Sequence, residues 1–172
     1  MKGRFSRFFV IIILACLPAG CGYHAANWDT SPYSSSGRTV NIQIFANKSY
    51  KPNVEGVMTD ALVDQFARSK GLELQSSDAD LTLSGEVLSY GYGASAYSAA
   101  DVIMEYSASM SVSATLRKSK TQQVLWKGTV SMSQYFPANS NIALQQNAED
   151  AAIQEICRKI AQKLYVDIFN KF

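Results

Sequence analysis

The sequence predicts a single α+β domain of order β-α-β-β-β-α, a four-stranded mixed sheet with two helices packed on one face. Three observations carry this reading. Four stretches alternate apolar and polar residues with a period of two, as half-buried strands do. Two stretches repeat apolar residues at helical spacing, each with one stripe. Every strand thus has one apolar face and each helix one apolar stripe, so both helices fit on the same side of the sheet. The other side is left to serine and threonine.

The first strand starts after Arg38, where Val40, Ile42 and Ile44 alternate with Asn41 and Gln43. Asn53 is placed to cap a helix with Glu55 in its first turn. Val54, Val57, Met58, Ala61, Leu62 and Phe66 form its stripe, and Gly71 is placed to end it. Gly56 costs that helix about 1 kcal/mol relative to alanine. A second strand alternates Leu81, Leu83 and Val87 with Thr82, Ser84 and Glu86. The third has Tyr106, Ala108, Met110, Val112, Ala114 and Leu116 on one face, and Ser107, Ser109, Ser111, Ser113 and Thr115 on the other. A polar link from Lys118 to Gln123 predicts an antiparallel hairpin into Val124, Trp126, Val130 and Met132, which alternate with Lys127, Thr129, Ser131 and Ser133. A long helix follows, with the stripe Ile153, Ile156, Ile160, Leu164 and Ile168. Glu149 and Asp150 stand near its start, Lys163 and Lys171 near its end, and Glu155 and Lys159 form an i,i+4 pair.

The chain of 172 residues opens with Lys2, Arg4 and Arg7, then an apolar run from Phe8 to Leu14, then Pro18-Ala-Gly-Cys21. The run is about half of the ~20 residues that span a bilayer, so residues 1–20 read as an export signal. Its Ala-Gly-Cys end resembles a bacterial lipobox, in which the cysteine is acylated. Cys21 is the expected lipidation site, and Cys16, after Ile13-Leu-Ala, is the alternative. Gly22, where an aspartate would resemble an inner-membrane retention signal, directs the chain to the outer membrane. Residues 21–37 form a lipidated tether and 38–172 the domain. The first 20 residues hold three of the 16 basic residues and none of the 14 acidic ones, which leaves 13 against 14, a net charge of −1. No basic field argues for nucleic acid. With Cys16 removed and Cys21 acylated, Cys157 stands alone, a thiol expected to be buried and inert.

The inventory for catalysis is poor. His24, the only histidine, stands three residues from Cys21, outside the predicted domain. A catalytic triad or histidine metal site needs an imidazole held by a scaffold, and no phosphate-cradling glycine motif is present. No enzyme activity, metal or cofactor is expected. Two surface features remain. Ser107, Ser109, Ser111, Ser113, Thr129 and Ser131 form a flat, almost uncharged face, which is either a solvated face or a protein interface. Arg117, Lys118 and Lys120 with Lys127 gather at a hairpin tip, either as a solubilising turn or as a binder of lipid phosphate.

Cys21-Gly-Tyr-His24 resembles the mature start of the lipopolysaccharide-assembly lipoprotein family LptE. The resemblance continues at Val40 to Phe45, at Leu62-Val-Asp-Gln-Phe66, from Glu105-Tyr106 through Ser-Val-Ser-Ala-Thr115, and at Asn147-Ala-Glu-Asp150. It implies an outer-membrane lipoprotein, facing the periplasm, that plugs the β-barrel LptD in a 1:1 complex and assists lipopolysaccharide delivery. It also implies a sheet with two helices on one side. Basic residues the family carries before Glu105 and after Leu144 are replaced here by Ala-Tyr-Ser-Ala-Ala and Gln145-Gln146. The other reading is a different outer-membrane lipoprotein, either a barrel-assembly accessory or a lipid carrier.

Overall fold

The computed structural model describes residues 38–69 and 71–170. The signal, Cys21, the tether and Lys171 lie outside the described residues. The elements are β1 (Thr39–Ile42), β2 (Ala46–Asn47), α1 (Val54–Arg68), β3 (Glu73–Leu74), β4 (Leu81–Tyr97), β5 (Ile103–Lys118), β6 (Val124–Pro137) and α2 (Ile142–Phe169). The sheet order is β3-β1-β4-β5-β6, with β2 following β1 along the same edge of β4. The first three strands pair in parallel and β4, β5 and β6 are antiparallel. The sheet is mixed, as expected, but has six strands and not four. The two extra strands are two residues long, too short for any alternation to show in the sequence.

The helices share one core with the inner face of the sheet. Met58, Leu62 and Phe66 of α1 and Ile156, Ile160 and Leu164 of α2 join Leu83, Val87, Met110, Val112 and Leu116 in one buried cluster. The inner rungs are largely apolar: Leu83-Leu116-Trp126, Val87-Val112-Val130 and Tyr90-Met110-Met132. Between the first two lies the small rung Gly85-Ala114-Gly128. A Cβ on Gly85 would collide with the Phe45 ring and the Ser113 carbonyl, so this glycine lets Phe45 lie on the sheet.

Two bulges set which side chains face inward. Leu88 is the extra residue between the pairs Val87-Val112 and Ser89-Ser111, which shifts parity and brings Tyr90 to the core. Leu125 plays the same part between Arg117-Val124 and Leu116-Trp126. Val124 consequently falls on the outer face, 47% exposed, and Leu125 packs on the core in its place. Ile44 is 79% exposed because β1 ends at Ile42, and Phe45 fills the core instead.

The helix ends also differ from expectation. Asn53 precedes α1 in a left-handed conformation, φ 64°, and its side chain caps nothing. The helix ends at Ser69 in extended backbone, two residues before Gly71, so Gly71 is no C′ residue. Helix α2 starts about two turns earlier than its apolar stripe, at Asn141, whose Oδ1 accepts from the Ala143 and Leu144 amides. Its first turn faces solvent, with Ile142 and Leu144 exposed, and so contributes nothing to the stripe. Glu155 pairs more closely with Arg158 (2.5 Å) than with Lys159 (3.8 Å). No described helix is long and apolar enough to cross a membrane.

Candidate partner and lipid interface

The outer face of β4, β5 and β6 is built of short side chains rung by rung. Ser89-Ser111-Ser131, Gly91-Ser109-Ser133 and Glu86-Ser113-Thr129 lie side by side, and Gly93-Ser107-Tyr135 continues the series. All six expected interface residues therefore share one surface. Ser109, Thr129 and Ser131 are exposed, while Ser107, Ser111 and Ser113 are partly covered by their neighbours. Ser131 donates to Ser111 at 3.0 Å across the strands, a cross-strand contact typical of hydroxyl pairs. Charge enters only at the margins: Glu86, paired with Lys48 at 2.6 Å, on one side and Lys127 and Arg117 at one end.

The expected basic cluster divides in two. Lys127 pairs with Thr115, and Arg117 follows two residues later on the same strand and face, so both cations stand on the outer surface. Lys118 pairs with Leu81, a core residue, and therefore turns to the helix side. There Lys118 and Lys120 line a cleft with Arg38, Asp80, Leu81 and Thr121. None of the four cations forms a salt bridge with another described residue. The Asp80 carboxylate beside them receives the Thr39 amide and hydroxyl, both at 3.3 Å.

Two groupings were not foreseen from the sequence. The first is a buried polar triad. Glu149 Oε1 accepts from the Tyr90 hydroxyl and from Lys51 Nζ, each at 2.9 Å, and Lys51 also lies 3.5 Å from Asp150. Burial, then the hydrogen bond to Glu149, raises the Tyr90 pKa. Burial pulls the Lys51 ammonium down, but contact with Glu149 and Asp150 outweighs it and leaves the pKa above its usual value. The second grouping is aromatic and lies at the other end of the sheet. Tyr92 meets Tyr106 edge-on at 5.4 Å, and Tyr106 stacks on Phe136 at 5.5 Å. Tyr97, Met104 and Tyr135 are exposed nearby. Residues 51, 90 and 149 are too far apart in sequence for any motif to join them. The aromatic residues were visible but scattered over three strands.

Cys157 is buried, 3.9 Å from the Met110 sulfur, and burial pushes its thiol up to about 12. At neutral pH it carries no thiolate and is not a nucleophile. Among the described residues no group of three His, Cys, Asp or Glu side chains could hold a metal ion.

The fold has relatives among solved structures. A protein of Xanthomonas campestris superposes with a TM-score of 0.56 at 12% identity, covering 82% of this chain and 90% of that one. A protein of Chlamydia trachomatis gives 0.52 at 12%, covering 74% and 95%. A candidate lipoprotein of Caulobacter crescentus gives 0.51 at 15%, covering 73% and 88%. At these identities the likeness concerns fold alone. No curated protein matches the sequence. The model of the family LptE, described as lipopolysaccharide-assembly, matches residues 37–168. Cys21 to His24 lie before that span, but every described strand falls inside it. The chain belongs to the LptE family, a family of lipopolysaccharide-assembly proteins and not of enzymes.

Proposed function

We propose that the protein is an outer-membrane lipoprotein, anchored through Cys21 on the periplasmic side. In this reading it forms a 1:1 complex with the β-barrel LptD, as its plug and assembly partner, and assists lipopolysaccharide delivery to the cell surface. The observation that carries the reading is the uncovered outer face of β4, β5 and β6. Both helices pack on the inner face, and the outer face offers hydroxyls, glycines and almost no charge. Such a surface approaches a polar wall closely without desolvating a charge. Ser107, Ser109, Ser111, Ser113, Thr129 and Ser131 are the contact residues in this reading. Arg117 and Lys127, which stand on the same face, meet lipopolysaccharide phosphates through charge-assisted hydrogen bonds. Lys118 and Lys120, expected in the same group, turn towards the tip.

The test is affinity purification of the lipidated chain from detergent-solubilised outer membranes. A stoichiometric large β-barrel is the expected companion. Recovery of the chain alone with bound lipid would instead make it a carrier.

A further inference from the structure

The β5–β6 turn stands at the end of the sheet where the described chain begins. Thr39 opens β1 beside Asp80 and Leu81, Leu81 pairs with Lys118, and the Ser119 amide donates to the Asp80 carbonyl at 2.9 Å. Arg38, Lys118 and Lys120 therefore surround the point at which residues 1–37 join the domain. Arg117 lies next to them on the outer side. The carboxylates at this end are Asp78 and Asp80, which line the two adjoining clefts, and Glu73, paired in register with Thr39. Asp80 is already engaged by Thr39. The turn itself is ordered, with the Lys118 amide donating to the Gln123 carbonyl and the Gln122 amide to the Lys118 carbonyl, both at 2.9 Å. It holds its lysines on a fixed scaffold.

We propose that this end of the domain docks on the anionic phospholipid leaflet that holds the anchor, with Lys118 and Lys120 as the principal contacts. The proposal rests on acylation at Cys21 and goes beyond the barrel-plug reading, because it concerns the end of the domain and not its outer face. A chain segment from residue 21 to 37 keeps Arg38 within about 60 Å of the acylated residue even when fully extended. Domain rotation is then the freedom that remains, and charge decides which end turns to the leaflet. The opposite end presents Tyr97, Met104 and Tyr135 without a basic group beside them. Only the tip complements phosphate. Each lysine near an anionic surface contributes about a fivefold preference.

The lipidated chain is reconstituted in nanodiscs of phosphatidylcholine, of phosphatidylcholine with phosphatidylglycerol, and of phosphatidylcholine with lipid A. Hydrogen exchange is followed at the amides of residues 118–123. Phosphatidylglycerol should slow their exchange about tenfold relative to phosphatidylcholine alone. High salt and the pair Lys118→Glu, Lys120→Glu should each remove that protection. Far-UV circular dichroism checks that the exposed pair leaves the fold intact. Capture of the barrel by the same variant reports separately on the plug reading. Equal exchange in phosphatidylcholine and phosphatidylglycerol overturns the proposal, as does protection by lipid A alone, which would make the tip a lipopolysaccharide site.

Discussion

Glu149 is the one buried carboxylate described, and its removal should be felt through Tyr90. In Glu149→Ala the Tyr90 hydroxyl, on a residue only 4% exposed, loses a charge-assisted bond of 2.9 Å. Such a bond contributes about 1.5–3 kcal/mol. The Lys51 side of the network costs less. Its side chain is 24% exposed and keeps Asp150 at 3.5 Å, so its share stays below about 1 kcal/mol. The total is about 3 kcal/mol, which for a domain of this size lowers Tm by about 10 °C. Tyr90→Phe alone, with Glu149 still bonded to Lys51, should cost about 1–2 kcal/mol. The double variant should fall short of the sum by a similar amount, because each change removes the same bond. The alkaline limb provides a second signature. Both Tyr90 and Lys51 hold their protons more tightly folded than unfolded. Their contribution is therefore complete below the ordinary values of 10.0 and 10.5 and drains as pH climbs through the raised ones. Thermal melts by circular dichroism from pH 7 to alkaline pH should show a steeper loss in the wild type than in Glu149→Ala. Additive single costs, together with equal alkaline slopes, would refute the argument.

Three further outcomes test the surface. Ser109→Glu with Ser111→Glu should leave Tm within a few degrees of wild type but lower barrel capture at least a hundredfold, because unpaired charge in a close interface costs several kcal/mol; co-purification measures it. Neutralising Arg117 and Lys127 to glutamine should weaken lipopolysaccharide binding about tenfold at low salt, an effect that added salt should mimic in the wild type in a titration followed by fluorescence. Cys21→Ala should leave an unacylated precursor, while Cys16→Ala should not; mass spectrometry of the mature protein decides between the two.

The long strands and the serine face were legible in the sequence because their period of two runs unbroken through β5, from Tyr106 to Leu116. The same rule failed at its neighbours for one reason. A bulge adds a residue without marking it, so Leu88 and Leu125 reversed the parity of what followed or preceded them, and Val124 was assigned inward although it faces out. Helix α2 was read from its stripe, which begins only where the helix reaches the sheet; the capping side chain of Asn141 was the available signal for the earlier start. The basic cluster was legible as a cluster, but its division was not, because Arg117 and Lys118 are neighbours in sequence and point to opposite faces of a strand. The triad of Lys51, Tyr90 and Glu149 spans 98 residues and exists only once the fold has formed.

The bulge at Leu88 also ties stability to surface. Without it, strict alternation from Val87 would send Ser89 inward and Tyr90 outward, and every later residue of β4 would exchange faces. With it, Tyr90 reaches Glu149 and Met110 inside, while Ser89, Gly91 and Gly93 join Ser111, Ser109 and Ser107 outside. One extra residue thus completes the core and the flat face together. The rungs divide the work in the same way: inner rungs such as Val87-Val112-Val130 bury apolar area, whereas outer rungs such as Gly91-Ser109-Ser133 bury almost none. Glycine and serine pack less well in strands than β-branched residues, so the outer face gives up stability that valine or threonine would have supplied there. A sheet built for stability alone gains nothing from that choice, whereas one that lies flat against another protein gains the close approach. Changes on this face should accordingly be felt in partner binding before they are felt in folding.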